Sequence, residues 1–173
     1  AMDLLVGIDV GTNATKALLL DLKGNPVAFA EHGYGLITPR DGWVEQDPED
    51  LWRGVVETCR RLSARLRPGD RISALSISSQ GGTTIPVDGD MRPLRNAISW
   101  MDRRAHEQAE HVRRAIGDEE VYRRTGWKLQ DGLPLQHIAW LRDNEPDLFR
   151  STRYFLFVND FILYRLTGRL CMD

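Results

Sequence analysis

Gly7-Ile8-Asp9-Val10-Gly11-Thr12-Asn13-Ala14-Thr15-Lys16 decides how the chain is read. Before it, Leu4-Leu5-Val6 continues a short apolar run into Ile8 and Val10, the pattern of a buried strand. Gly11 to Thr15 is turn chemistry, and Lys16-Ala17-Leu18-Leu19-Leu20-Asp21-Leu22 is a second strand by length and flanks. An acid at the end of a buried strand is costly unless it is paired or binds a metal. A turn of Gly, Thr and Asn offers backbone N–H groups and hydroxyls in a small concavity suited to phosphate oxygens. Lys16 adds a point charge, and Asp9 has the chemistry to hold Mg²⁺ beside phosphates and water. An ordinary hairpin with a turn-capping Asp would read the same way. The spacing is not that of a Walker A loop.

Working outward, Lys23-Gly24-Asn25-Pro26 is another turn, and 27–34 is a third strand, so three strands form an antiparallel meander. Asp47-Pro48-Glu49-Asp50 opens a helix, with Asp47 as N-cap and acids in the first turn. Leu51, Val55, Cys59 and Leu62 give it one apolar face. Residues 72–79 and 83–87 read as strands, and 96–100 as a short one. Helices are expected over 101–116, 119–124, 135–144 and 159–166, with a strand end at 154–157. This is a mixed α/β domain.

Composition narrows the function classes. With 173 residues the chain is long enough for a sizeable core, and its net charge of −2 lacks the basic excess of a nucleic-acid binder. Arginines cluster at 60–67 and 103–124 among acids and apolar residues, as on solvated helix faces. The two cysteines, Cys59 and Cys171, have no metal spacing, and a reducing cytoplasm fits them. No apolar run approaches a membrane span, and no secretory signal opens the chain. Ala1 before Met2 reads as a tag scar, and the end at Cys171-Met172-Asp173 as a cut inside a larger fold.

Four stretches together carry a resemblance. The segment 7–16 resembles the first phosphate motif of the actin, Hsp70 and sugar kinase superfamily. Gly42-Trp43-Val44-Glu45-Gln46-Asp47-Pro48-Glu49-Asp50-Leu51-Trp52 is similar to a motif of xylulokinases and glycerol kinases. Pro93-Leu94-Arg95-Asn96-Ala97-Ile98-Ser99-Trp100-Met101-Asp102-Arg103-Arg104-Ala105 resembles the strand-then-Trp-x-Asp-x-Arg element of FGGY carbohydrate kinases, and Asp160-Phe161-Ile162-Leu163-Tyr164-Arg165-Leu166-Thr167-Gly168 their helix ending in Leu-Thr-Gly. The four occur in family order across nearly the whole chain.

The resemblance implies a ribonuclease-H-like (actin-like ATPase) fold: a mixed sheet opening with the meander, flanked by helices and truncated. Residues 1–173 would be the N-terminal part of the first FGGY domain. It implies a xylulokinase-like enzyme that phosphorylates a sugar or polyol hydroxyl with ATP and Mg²⁺, in the cytoplasm, often as a homodimer, with no nucleic-acid or membrane partner. Asp9 would hold the metal, and Gly11, Thr12, Asn13 and Lys16 would lie along the ATP phosphates. Gln80, Gly81, Gly82, Trp100, Asp102 and Arg103 would line the substrate pocket. The catalytic base would lie beyond Asp173, so none is expected here.

Alternatives for single residues are a core position for Trp100 and a local ion pair at the helix start for Asp102 and Arg103. Asp160 reads as a helix cap and His137 as a partly exposed helix histidine, where the family carries Lys. After Gln80, xylulokinases carry Met-His and glycerol kinases Arg-Glu; here Gly81-Gly82 leaves the substrate open. Glycerol or polyol kinase, a non-catalytic sugar-kinase-like binding module and an actin-like filament protein are the competing readings.

Overall fold

The computed structural model describes residues 1–172. In chain order the elements are β1 (Asp3–Val10), β2 (Ala14–Asp21), β3 (Pro26–Gly33), β4 (Glu45–Gln46), α1 (Pro48–Ser63), β5 (Arg71–Ser79), β6 (Ile85–Val87), β7 (Ala97–Ile98), α2 (His106–Ala115), α3 (Asp118–Thr125), α4 (Pro134–Asn144), α5 (Pro146–Ser151), β8 (Tyr154–Leu156) and α6 (Val158–Thr167). They divide into two compact units. One comprises Ala1–Gly35, Pro48–Gln80 and the stretch from Val158 onward; the other comprises Leu36–Asp47 and Gly81–Phe157.

The first unit is a four-stranded sheet in the order β3-β2-β1-β5. β1–β2 and β2–β3 are antiparallel, and β5 joins β1 in parallel. Strand alternation sorts the side chains. Leu4, Val6, Ile8 and Val10 of β1 and Thr15, Ala17 and Leu19 of β2 are buried, while Leu5, Leu18 and Leu20 are half-buried. α1 packs on β2 and β3, burying Leu51, Val55, Thr58 and Leu62. α6 packs on β5 and α1 and is tied to α1 by Arg165, which pairs with Glu49 at 2.5 Å and lies 4.9 Å over the Trp52 ring. The other face carries the exposed Phe29, and the edge strand β5 is exposed over most of its length.

The second unit is built from short pairings: β4 with β7, β6 with β8, and bridges from Ile37 to Glu45 and from Thr84 to Ile98. Ile98, Ala105, Trp140 and Leu141 form its core, with Trp43, Leu148, Phe149 and Phe155 packed around them. A buried charge network sits beside this core. Glu45 accepts from Arg95, Asn96 and Arg104, and Arg95 also pairs with Glu145. The Arg104 guanidinium lies 3.8 Å over the ring of Trp43 and 5.1 Å over that of Trp140.

Several sequence expectations shift. The helix expected over 101–116 is confined to His106–Ala115, because backbone N–H groups of 102–104 bond elsewhere. Asp102 N–H donates to Ser99 O, Arg103 N–H to Gly42 O, and Arg104 N–H to the Asp102 carboxylate. The strands expected over 83–87 and 96–100 shorten to Ile85–Val87 and Ala97–Ile98. α5 had no sequence expectation. α6 starts at Val158, so Asp160 sits within its first turn, 1% exposed, and is not its N-cap. His137 is 0% exposed, against the expectation of a partly exposed helix residue.

Candidate nucleotide and acceptor sites

The β1–β2 hairpin is held from below by α1 and from the side by Tyr34. In the hairpin, Gly11 N–H donates to Ala14 O at 3.0 Å. Tyr34 occupies two carbonyls of the turn: its hydroxyl donates to Gly11 O at 2.6 Å and its N–H to Asn13 O at 3.0 Å. Burial pushes the Tyr34 phenol up, so it stays a proton donor. α1 reaches this spot because residue 54 is glycine. A Cβ there would stand 2.6 Å from Thr15 Oγ1 and 3.0 Å from a Tyr34 ring carbon. Tyr34 and Gly54 escaped the sequence reading. The only signal was a glycine on the buried stripe of an otherwise good helix, where it costs stability unless a close approach needs it.

Asp9 and Lys16 stand directly opposite each other across the β1–β2 pair, and both are exposed. With Gly7, Leu18, Phe29 and Ser78 they line an open concavity of about 360 Å³. Asp9 Oδ2 lies 4.0 Å from where a Cβ of Gly11 would be, so the carboxylate reaches the bend and the glycine leaves it open. Thr12 and Asn13 sit at the tip, half-buried and exposed respectively. Gln80 follows β5: its N–H donates to Val10 O at 3.0 Å, and its side-chain oxygen accepts from Thr12 Oγ1 at 3.3 Å. The first unit therefore brings together Asp9, Gly11, Thr12, Asn13, Lys16 and Gln80. Among the described residues no group of three His, Cys, Asp or Glu could hold a metal. The residues present fit a cation held by one carboxylate plus phosphate and water oxygens, as Mg²⁺ is.

The remaining expected pocket residues lie in the second unit. Trp100 is 45% exposed and so is not a core aromatic. Gly82, at φ +78°, passes so close that a Cβ would meet Trp100 Cβ at 3.0 Å. Gly132 is tighter still: a Cβ would fall 2.0 Å from Trp100 O. The loops around 82, 100 and 132 thus pack backbone on backbone around an outward indole. Arg103 is exposed. Asp102 is not: its side chain is 0% exposed and accepts from Val44 N–H at 2.6 Å and from Arg104 at 2.9 Å. Its carboxylate pairs with Arg104 and with Val44 N–H, where the ion-pair alternative had Arg103 as the cation.

His137 is buried on α4. Its Nδ1 lies 3.0 Å from Thr84 Oγ1, and its Nε2 is buried without a hydrogen-bond partner. Burial lowers its pKa to about 4; the Asp102 carboxylate opposes that shift and the Arg104 guanidinium adds to it.

The sequence model for the N-terminal domain of the FGGY family of carbohydrate kinases matches residues 4–173. A gluconokinase of Bacillus subtilis (strain 168) is 31% identical over 169 residues, 98% of this chain and 33% of that protein. A glycerol kinase of Thermococcus gammatolerans is 32% identical over 177 residues, covering 98% of this chain and 35% of that protein. The solved structure of ligand-bound xylulose kinase from Lactobacillus acidophilus superposes with a TM-score of 0.92 at 31% identity, over 98% of this chain and 34% of that one. The chain spans about a third of the length of the curated relatives it matches. The mixed sheet, the opening meander and the flanking helices are those expected for the actin-like ATPase class. With the family model matching from Leu4 to the last residue, the chain belongs to the FGGY family of carbohydrate kinases.

Proposed function

We propose that the chain is the amino-terminal part of a kinase that moves the γ-phosphoryl group of ATP onto a sugar or polyol hydroxyl. The observation that carries the reading is the β1–β2 hairpin: Tyr34 ties down the Gly11 and Asn13 carbonyls of its turn while Asp9 and Lys16 stand exposed on its two strands. Phosphoryl transfer rests on positioning and charge neutralisation. Asp9 would hold Mg²⁺, which when bound supplies charge neutralisation at the phosphate oxygens. Lys16, Gly11, Thr12 and Asn13 would lie along the phosphates. In the first unit Gln80 is bonded to Thr12 of the phosphate turn, and in the second unit Gly81, Gly82, Trp100 and Arg103 are the residues that would face acceptor hydroxyls. Asp102 would act by holding that loop. The base that takes the hydroxyl proton would come from beyond residue 173. Gluconokinase, xylulose kinase and glycerol kinase relatives match at near-equal identity, so the acceptor panel is gluconate, xylulose and glycerol.

The test is a coupled ADP-release assay with that panel on the full-length enzyme. Asp9→Ala is expected to lower kcat by at least about a hundredfold while leaving the unfolding midpoint in place. Unchanged kcat in that variant would remove the support for the reading. The 173-residue chain by itself is expected to show no turnover.

A further inference from the structure

His137 occupies an odd position for an unmodified core residue. It is fully buried, one ring nitrogen meets a threonine hydroxyl and the other meets nothing. That hydroxyl, Thr84 Oγ1, is also 3.5 Å from Gly82 O, the carbonyl of the turn packed on Trp100. Thr84 itself cannot drift, because its backbone exchanges both hydrogen bonds with Ile98 at 2.9 and 3.0 Å.

The hydroxyl has one proton and two claimants. If it goes to His137, the Nε2–H becomes an orphaned buried donor and Gly82 O loses its partner. If it goes to Gly82 O, Nδ1 must carry the ring proton and donate to Thr84, and Nε2 is left as a bare acceptor. The second arrangement satisfies one more group. We propose that His137 is a positioning residue for the Gly81–Gly82 turn, acting as a neutral ring protonated on Nδ1 that donates to Thr84 so that Thr84 can hold the Gly82 carbonyl. The ionic groups acting on the ring are Asp102 and Arg104, which are paired to each other, and the depressed pKa agrees with a neutral ring. Thr83 holds the same turn from its other side, where its hydroxyl accepts from Trp100 N–H at 3.3 Å. With no side chains at 81 and 82, backbone placement is all the turn can offer a ligand, so what fixes that backbone sets its fit. The functional part of the inference rests on the reading of this turn as facing the acceptor.

The experiment has two arms. In the first, nitrogen-15 NMR of histidine-labelled chain at pH 7 reads the tautomer. Protonated Nδ1 and bare Nε2 are expected; a proton on Nε2, or on both nitrogens, would overturn the proposal. In the second, His137→Asn, which can place an N–H near the Nδ1 position, is compared with His137→Leu and Thr84→Val. The last two should shift the Gly81 and Gly82 amide resonances, and His137→Asn should leave them close to wild type. In the full-length enzyme they should raise KM for the sugar about tenfold at unchanged KM for ATP. Equal behaviour of the Asn and Leu variants, or an unchanged sugar KM, would overturn the positioning role. If the parent enzyme turns over no sugar, the kinase reading fails, and the tautomer and amide shifts still decide whether His137 holds the turn.

Discussion

Replacing Gly54 by alanine should lower stability, although the same change in an exposed helix raises it. Alanine is favoured over glycine in a helix interior by about 0.8–1 kcal/mol. Against this stands the packing of α1 on the hairpin, where the new methyl would lie 2.6 Å from Thr15 Oγ1, 3.0 Å from Thr15 Cβ and 3.0 Å from Tyr34 Cε1. Ordinary contact would need displacements of roughly 0.5–1 Å, and overpacking of this kind costs ~1–3 kcal/mol. The strand side cannot yield easily, since Thr15 is fully buried and paired with Val10. The net expectation is a loss of about 1–2 kcal/mol. The movement should also draw the Tyr34 hydroxyl from Gly11 O, a contact worth ~1 kcal/mol by itself. Urea unfolding of Gly54→Ala, Tyr34→Phe and the double variant measures both effects. The double variant should lose less than the sum, because the two changes strike one contact. A Gly54→Ala protein as stable as its parent, with additive behaviour in the double variant, would refute the claim that α1 sets the hairpin.

Three further outcomes follow from the second unit. His137 has its pKa depressed from 6.5 to about 4, so as pH falls the unfolded chain takes up the proton first. Stability should be full above pH 6.5 and fall by about 3 kcal/mol in total down to pH 4, and the His137→Asn variant should lack that slope in urea titrations across the range. Arg104→Met leaves Asp102 and Glu45 buried without their shared cation and should cost ~3–5 kcal/mol in thermal or chemical unfolding. Gly132→Ala puts a methyl against a backbone carbonyl 2.0 Å away, and circular dichroism should show a lowered unfolding midpoint, whereas Gly89→Ala, with nothing within 4 Å, should be silent.

The first unit was largely legible because its signals are local. Strands β1 to β3 are short apolar runs closed by turn residues, and each turn joins neighbours in sequence. The phosphate-site expectation rests on ten contiguous residues. The second unit resisted because its decisive contacts are distant. Glu45 meets Arg104 across 59 positions, and nothing near either residue announces the pair. A similar distance hid the loop that shortens α2, since Asp102 turns its carboxylate onto Val44, 58 positions away, where a helix was expected. His137 defies its polarity for a related reason: Gln136 and His137 are both buried on α4, so polarity there marks the inner face. Gly82 and Gly132 looked like loop glycines, and only the close approach of Trp100 shows that they are spacing residues.

The order in which the ribosome delivers these segments matters for the sheet's helical cover. β1, β2, β3, α1 and β5 emerge within the first 79 residues, yet α6 arrives only after Val158. The intervening stretch can seal itself first, since β8 at Tyr154–Leu156 closes onto β6 just ahead of α6. Until then, the part of β5 that α6 will cover is bare on a nascent sheet in which β5 has no further strand beside it among the described residues. Such a species is a natural client for chaperones and a hazard during refolding from denaturant. Truncation before residue 158 should accordingly give inclusion bodies, and dilute, cold refolding should favour recovery.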